Sequence, residues 1–162
     1  MTFETTDLCD EFSDELAICK EDFQSYGKRK TFSGPISTVK VWEDNVLVKK
    51  ALETIPAGNI LVVDGGGSKN CALLGDRLAG IAVDRQLAGI IVYGRIRDTV
   101  DISGMDVGVL ALGSNPLKSI KQGKGETDIP VHFGEVDWNP GDYVYADEDG
   151  IIISKRALEL GN

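Results

Sequence analysis

The chain reads as an α/β domain built on a mixed β-sheet, and three observations lead there. Asn59–Asp64 and Gly89–Tyr93 are continuous apolar runs of the kind that strands buried on both faces require. The sequence between them is helical in pattern, which makes the middle of the chain βαβ-like. From Ile129 onward, short apolar runs alternate with the turn signals Asn139-Pro140-Gly141-Asp142 and Asp147-Glu148-Asp149-Gly150, the mark of antiparallel strands. A parallel middle and an antiparallel end imply one mixed sheet, or two sheets packed with helices.

In order, Thr6–Leu16 is predicted as a short amphipathic helix with Thr6 or Asp7 at its N-cap, and Lys20–Lys30 as a surface loop. Phe32–Trp42 alternates and should hold a strand beginning after Pro35. Asp44 is placed to cap a helix over Asn45–Thr54, with Val46, Leu47, Ala51 and Leu52 on its apolar face, and Pro56-Ala57-Gly58 ends it. After the strand at Asn59–Asp64 come Gly65-Gly66-Gly67-Ser68, then helical sequence over Ser68–Leu74 and Arg77–Leu87, broken at Gly75-Asp76. Strands follow at Gly89–Tyr93 and Val107–Leu112, then at Ile129–Val136, Asp142–Ala146 and Gly150–Ser154. A short helix over Lys155–Leu160 closes the chain. No repeat, low-complexity tract or linker divides the 162 residues, so residues 1–162 are read as one domain.

Charge narrows the function. A net charge of -9 argues against direct binding to nucleic acid, whose phosphates need a basic surface. An acidic protein acting on an acidic substrate needs a locally positive pocket, for which Arg77, Arg95 and Arg97 are candidates. The three cysteines Cys9, Cys19 and Cys71 have neither disulfide nor metal spacing, as expected in a reducing cytoplasm. The acidic start, Met1–Asp7, has no signal-peptide character, and no run approaches the ~20 apolar residues of a membrane helix. A cytoplasmic, membrane-free protein is expected.

The most informative pattern is Asp76, twenty residues, then Arg97-Asp98. Arg97 and Asp98 fall just past a buried strand, where open α/β sheets bind ligands. An Arg fork suits a carboxylate and an adjacent Asp suits a hard divalent cation. A helix starting near Arg77 would also present unpaired N–H groups, a ready carboxylate site. Two simpler readings stay open: Asp76 caps that helix, and Asp98 caps the segment after it. The Gly65-Gly66-Gly67 turn fails as a dinucleotide fingerprint because Asn70 stands at the third glycine position, and no P-loop lysine follows. Its glycines are read as a tight turn approaching a small ligand. His132, the only histidine, has no histidine or cysteine partner in sight, so zinc chemistry is not expected.

Together, Gly65-Gly66-Gly67-Ser68, Gly75-Asp76, Val92–Asp98, Pro140-Gly141-Asp142 and Asp147–Gly150 strongly resemble the regulator of ribonuclease activity A (RraA) family, over nearly the whole chain. Its enzymatic members are 4-hydroxy-4-methyl-2-oxoglutarate aldolases with associated oxaloacetate decarboxylase activity. The resemblance implies a β/β/α swivelling-type fold and a ring-shaped homotrimer. The complete Asp-x20-Arg-Asp pattern separates likely enzymes of the family from members known chiefly as ribonuclease inhibitors. Carried over, Gly75, Asp76, Arg77 and Leu78 would hold the substrate carboxylate through backbone N–H groups. Arg97 would bind the keto acid and stabilise enolate charge, Asp98 would hold Mg2+ or Mn2+, and Asp76 would position a water for proton transfer. The longer aldolases carry a C-terminal extension that this sequence, ending at Asn162, does not have.

Two functions from different classes follow. One is a divalent-metal-dependent lyase acting on a small keto acid through a pyruvate enolate, since no lysine is marked out for a Schiff base. The other is a non-catalytic regulator of an RNase E-type endoribonuclease, whose basic segments an acidic surface would suit. A menaquinone-pathway methyltransferase, also attached to the family, is disfavoured by the failed glycine fingerprint.

Overall fold

The computed structural model describes residues 2–160. In chain order these form α1 (Thr5–Phe12), a 3-10 turn (Ser13–Glu15), β1 (Leu16–Ile18), β2 (Gln24–Ser25), β3 (Phe32–Lys40), α2 (Val46–Thr54), β4 (Ile60–Asp64) and β5 (Ala72–Leu74). There follow α3 (Asp76–Asp84), β6 (Gly89–Ile96), α4 (Thr99–Ser103), β7 (Gly108–Ser114), β8 (Glu126–Thr127), β9 (Val131–Phe133), β10 (Val136–Trp138), β11 (Tyr143–Asp147) and β12 (Gly150–Ser154).

The long strand β3 joins the two halves. Its start, Phe32–Pro35, pairs antiparallel with β11, and its end, Ile36–Lys40, pairs parallel with β4. Pro35, which has no N–H to donate, therefore sits inside the strand at the handover between partners. The strand was expected to begin only after it. The parallel half runs β3-β4-β6-β7 and the antiparallel half β1-β12-β11-β3.

Alternation along the parallel strands builds two cores. Leu61, Val63, Ile90 and Val92 pack with Val48, Ala51 and Leu52 of α2, Ala79 and Ala82 of α3, and Ile102 of α4. Their neighbours Ile60, Val62 and Ile91 face the opposite way, onto Val144, Ile151, Ile153 and the β9–β10 hairpin. Both faces are covered, which explains the unbroken apolar runs. The layers are thus sheet, sheet and helices, a single-domain α/β fold with mixed sheets as the family resemblance implied. In the second core Phe133 stacks between Tyr93 and Trp138, at centroid distances of 4.7 and 4.6 Å. Trp138 is fully buried and donates its indole N–H to Phe133 O at 3.1 Å.

Several local expectations are corrected. Ser68–Leu74 is not helical: Gly65 and Gly67 both donate their N–H to Tyr93 O, so the chain bulges out and returns beside β6 as β5. Sheet pairing there overrides the helix propensity of Ala72-Leu73-Leu74. Ile129–Val136 is not one strand but part of a hairpin, turning at Gly134 and Glu135, both at positive φ as two-residue hairpin turns require. The predicted first helix stops at Phe12, and Leu16–Ile18 becomes an edge strand on β12. Lys20–Lys30 contains the short strand β2, paired with β7. Lys155–Leu160 is not a helix: Ser154 Oγ binds Arg156, and Leu158 donates its N–H to the Tyr145 hydroxyl. Among the described residues no helix is long and apolar enough to cross a membrane.

Candidate active site at the ends of two parallel strands

β5 and β6 run parallel with Leu74 beside Ile96, so both strands end at the same level. Arg97 donates its N–H to Leu74 O at 2.9 Å, which draws the residues past the two ends together. Asp76 then donates its backbone N–H to Asp98 Oδ2 at 3.0 Å. Two segments separated by twenty residues of sequence become neighbours because parallel pairing aligns their strand ends.

Gly75 is required by space rather than by backbone conformation. Its φ of -133° is open to any residue. A Cβ there, however, would lie 2.7 Å from Asp98 Oδ2 and 3.4 Å from the Arg97 side chain. Gly75 also cannot cap α3 with a side chain, so Asp98 does so from the neighbouring strand end. Asp98 itself is left-handed (φ 58°, ψ 41°) at the start of α4, a conformation Asp tolerates better than most residues. Both simpler readings of the motif are thereby refined. Asp76 is the first residue of α3 and not its cap, while Asp98 precedes α4 yet spends Oδ2 on α3. The following first-turn N–H groups of α3 remain without intrahelical partners.

A cavity of about 1070 Å³ opens at this junction, and Gly75, Asp76, Arg77, Leu78, Arg97 and Asp98 all line it. The sequence pattern missed the rest of the wall. Lys49 comes from α2, and Lys118, Ser119 and Lys121 from the stretch after β7. Five cationic side chains, Lys49, Arg77, Arg97, Lys118 and Lys121, thus face two acidic ones, Asp76 and Asp98, in a chain whose net charge is -9. Low-dielectric walls around charge of one sign concentrate anions.

The stretch after β7 is held in place by backbone contacts. Ala72 donates its N–H to Leu117 O, and Ile120 donates to Glu43 O, each at 2.8 Å. Asp44, only 3% exposed, accepts N–H bonds from Gln122 (2.9 Å) and Lys124 (3.1 Å) with one oxygen and from Val46 (3.1 Å) with the other. Burial pushes its carboxyl up, but the backbone N–H bonds from Val46, Lys124, Gln122 and Gly123 prevail and hold it below the ordinary value. Asp44 therefore does reach the start of α2, as expected, and also clasps a distant loop. Lys121 Nζ in turn donates to Asn45 Oδ1 at 2.9 Å.

Other predicted features lie elsewhere. The Gly65-Gly66-Gly67 turn does not line this cavity; Gly66 lies against Trp42 and Gly67 against Tyr93, both at positive φ. Arg95 points to Ser114 O and stays outside. His132 pairs with Asp137 on the exposed hairpin. Among the described residues no group of three or more His, Cys, Asp or Glu gathers as a metal cluster.

A profile of the family described as RraA-like, Aldolase/RraA, matches residues 5–153. The chain belongs to the RraA-like family. It is 58% identical over 156 residues to a Bacillus cereus protein named "Putative 4-hydroxy-4-methyl-2-oxoglutarate aldolase", covering 96% of this chain and 98% of that one. A Geobacillus kaustophilus structure described as an S-adenosylmethionine:2-dimethylmenaquinone methyltransferase is similar at a TM-score of 0.96 and 56% identity, covering 98% of this chain and 100% of the other. The RNA-processing inhibitor RraA from Thermus thermophilis follows at 0.94 and 43%, covering 98% and 96%. Two different functions are thus named on nearly superimposable structures, and a third on a relative by sequence. The fold alone does not choose among them; the site must.

Proposed function

We propose that this RraA-like chain is a divalent-metal-dependent lyase that cleaves 4-hydroxy-4-methyl-2-oxoglutarate to pyruvate and decarboxylates oxaloacetate through the same pyruvate enolate. The observation that carries the reading is the contact between the α3 N-terminus and Asp98, beside Arg97, in a cavity whose charged wall residues are mostly cationic. In this reading the N–H groups of Gly75, Arg77 and Leu78 hold the substrate carboxylate, as helix N-termini do, while that of Asp76 is spent on Asp98. Arg97 grips the keto acid with two parallel donors, and its charge offsets the enolate as the C–C bond breaks. Asp76 orients a water that carries the proton to and from the substrate.

Asp98 has one oxygen committed to the Asp76 N–H, which leaves Oδ1 for a cation. A single carboxylate fits magnesium or manganese, which keep most of their shell as water and substrate oxygens, better than zinc. Bound there, such a cation would supply Lewis-acid polarisation of the keto group. Likeness to the relatives named as aldolases supports the reaction class. The test is pyruvate release from oxaloacetate and from 4-hydroxy-4-methyl-2-oxoglutarate, with added magnesium or manganese and with EDTA. Activity surviving exhaustive chelation, or absent with both metals, overturns the proposal.

A second reading has its own support in the likeness to the Thermus RNA-processing inhibitor. In it the acidic exterior binds basic segments of an RNase E-type endoribonuclease. Inhibition of such an enzyme by variants that have lost turnover would separate the two roles. Family resemblance further supports a cytoplasmic homotrimer, and a light-scattering mass of a monomer or dimer would count against the trimer.

A further inference from the structure

We propose that Lys118 and Ser119 form a second anion subsite in the cavity, taking the distal carboxylate of a dicarboxylic keto acid whose keto-acid head lies at Arg97. This rests on the function proposed above and adds to it the basis of substrate choice. Ser119 is 5% exposed, lines the cavity, and carries a side-chain oxygen without a hydrogen-bond partner. It is the one buried side-chain polar atom among the described residues left in that condition. Burying an unbonded hydroxyl is unfavourable, and folded proteins rarely leave one so without a function.

The adjacent Lys118 is a cation of the same wall, exposed and without an ion pair among the described residues. Lys121 differs, because its ammonium is already bonded to Asn45. The backbone that carries Lys118 and Ser119 is fixed on both sides. Lys118 bridges to Ala72 of β5, Ile120 bonds to Glu43, and Asp44 holds Gln122 and Lys124. The backbone is pinned, and a turn of the Ser119 side chain about its Cα–Cβ bond would bring its sealed hydroxyl to the cavity beside the Lys118 ammonium, where a carboxylate accepts from both. The head group of a keto acid accounts for Arg97 and the α3 N–H groups, but it leaves this donor pair unused. A cavity of about 1070 Å³ also exceeds what pyruvate alone would fill.

The test uses two unreactive five-carbon probes that differ only in the distal carboxylate, 2-oxoglutarate and 2-oxopentanoate, measured by calorimetry on the full chain in magnesium. The wild type should bind 2-oxoglutarate about 10-fold more tightly, the scale of one charge-assisted contact. Lys118→Met and Ser119→Ala should each remove most of that advantage while affecting 2-oxopentanoate far less. Arg97→Ala should weaken both probes. Ser119→Ala should keep or raise the melting temperature, because the lost hydroxyl bonds to nothing in the fold; a drop would mark Ser119 as structural and overturn its role. A wild type that binds both probes equally, or variants that keep the preference, would overturn the subsite. A wild type that binds neither probe would overturn the keto-acid reading itself.

Discussion

Two clefts of the molecule have opposite character. The charged residues lining the cavity at the ends of β5 and β6 are mainly cations. The cleft of about 520 Å³ in the antiparallel half is lined by Glu21, Asp22 and the Asp147-Glu148-Asp149 turn. In the second cleft the chemistry is spent on the fold. Asp147 accepts from the Thr5 N–H and hydroxyl and from the Asp149 N–H, which secures α1 and closes the β11–β12 turn. Elsewhere on the surface Arg29 is paired with Asp106, and Arg156 with Glu15. At the first cavity Arg97 and Lys118 have no ion pair among the described residues. Charges already satisfied within the chain build structure, whereas unsatisfied charges around a cavity are available to a ligand. Parallel strands favour the second outcome, because they end together and hand their next residues to one crevice.

The largest break in this contrast should come from the unpaired charges. Arg97→Ala and Asp98→Asn are expected to lower pyruvate release by ~10²–10³, the usual effect of losing one preorganised charge contact. Circular dichroism and the melting temperature should barely change, because Asn keeps the left-handed backbone and an acceptor for the Asp76 N–H. Removing Asp147 in the other cleft should do the reverse, lowering stability and sparing turnover. Near-wild-type turnover in folded Arg97→Ala would show that the site is misplaced.

Gly75→Ala sharpens the contrast without touching a charge. The new methyl must displace the Asp98 carboxylate, and a misplacement of about 1 Å at a reacting group costs up to ~10² in rate. Steady-state kinetics should show the loss in kcat, with thermal stability little altered.

Asp44 tests the clasp that carries the basic wall. Asp44→Ala should cost about 1–3 kcal/mol in denaturant unfolding, since three N–H groups lose a buried acceptor. The sign of the pH effect follows from its depressed carboxyl. Its contribution is complete above the ordinary carboxylate value and is lost as pH falls through the lower folded value. The Gln122 and Lys124 amide resonances should therefore hold their positions through the ordinary carboxylate range and shift only at more acidic pH. Movement at or above that range would refute the clasp.

The smallest effect is expected within α3, the helix that Gly75 precedes. A Cβ on Gly80 meets nothing within 4 Å, so Gly80→Ala should stabilise by about 0.5–1 kcal/mol in thermal unfolding and leave turnover alone. Opposite results at Gly75 and Gly80 would separate a glycine kept for space from one kept for no local reason.

Much of this was legible before any coordinates. The apolar runs at Asn59–Asp64 and Gly89–Tyr93 announce strands covered on both faces, because only double burial removes the need for polar alternation. Asp76, Arg97 and Asp98 could be marked because each follows a glycine or a strand end, and such positions are visible in local order. Local order failed where pairing partners are distant. Ala72-Leu73-Leu74 has helical composition and becomes β5 only because β6 offers it a free ladder. Leu16–Ile18 becomes a strand because β12 presents an open edge. Lys49, Lys118, Ser119 and Lys121 have no shared spacing to betray them. They reach one cavity through the bridge of Lys118 to Ala72 and the bonds of Asp44, contacts that span dozens of residues. Periodicity and turn chemistry act over a few residues, so they dictate elements. Which elements meet, and which charges are left facing a cavity, depends on backbone hydrogen bonds that exist only once the sheet has closed.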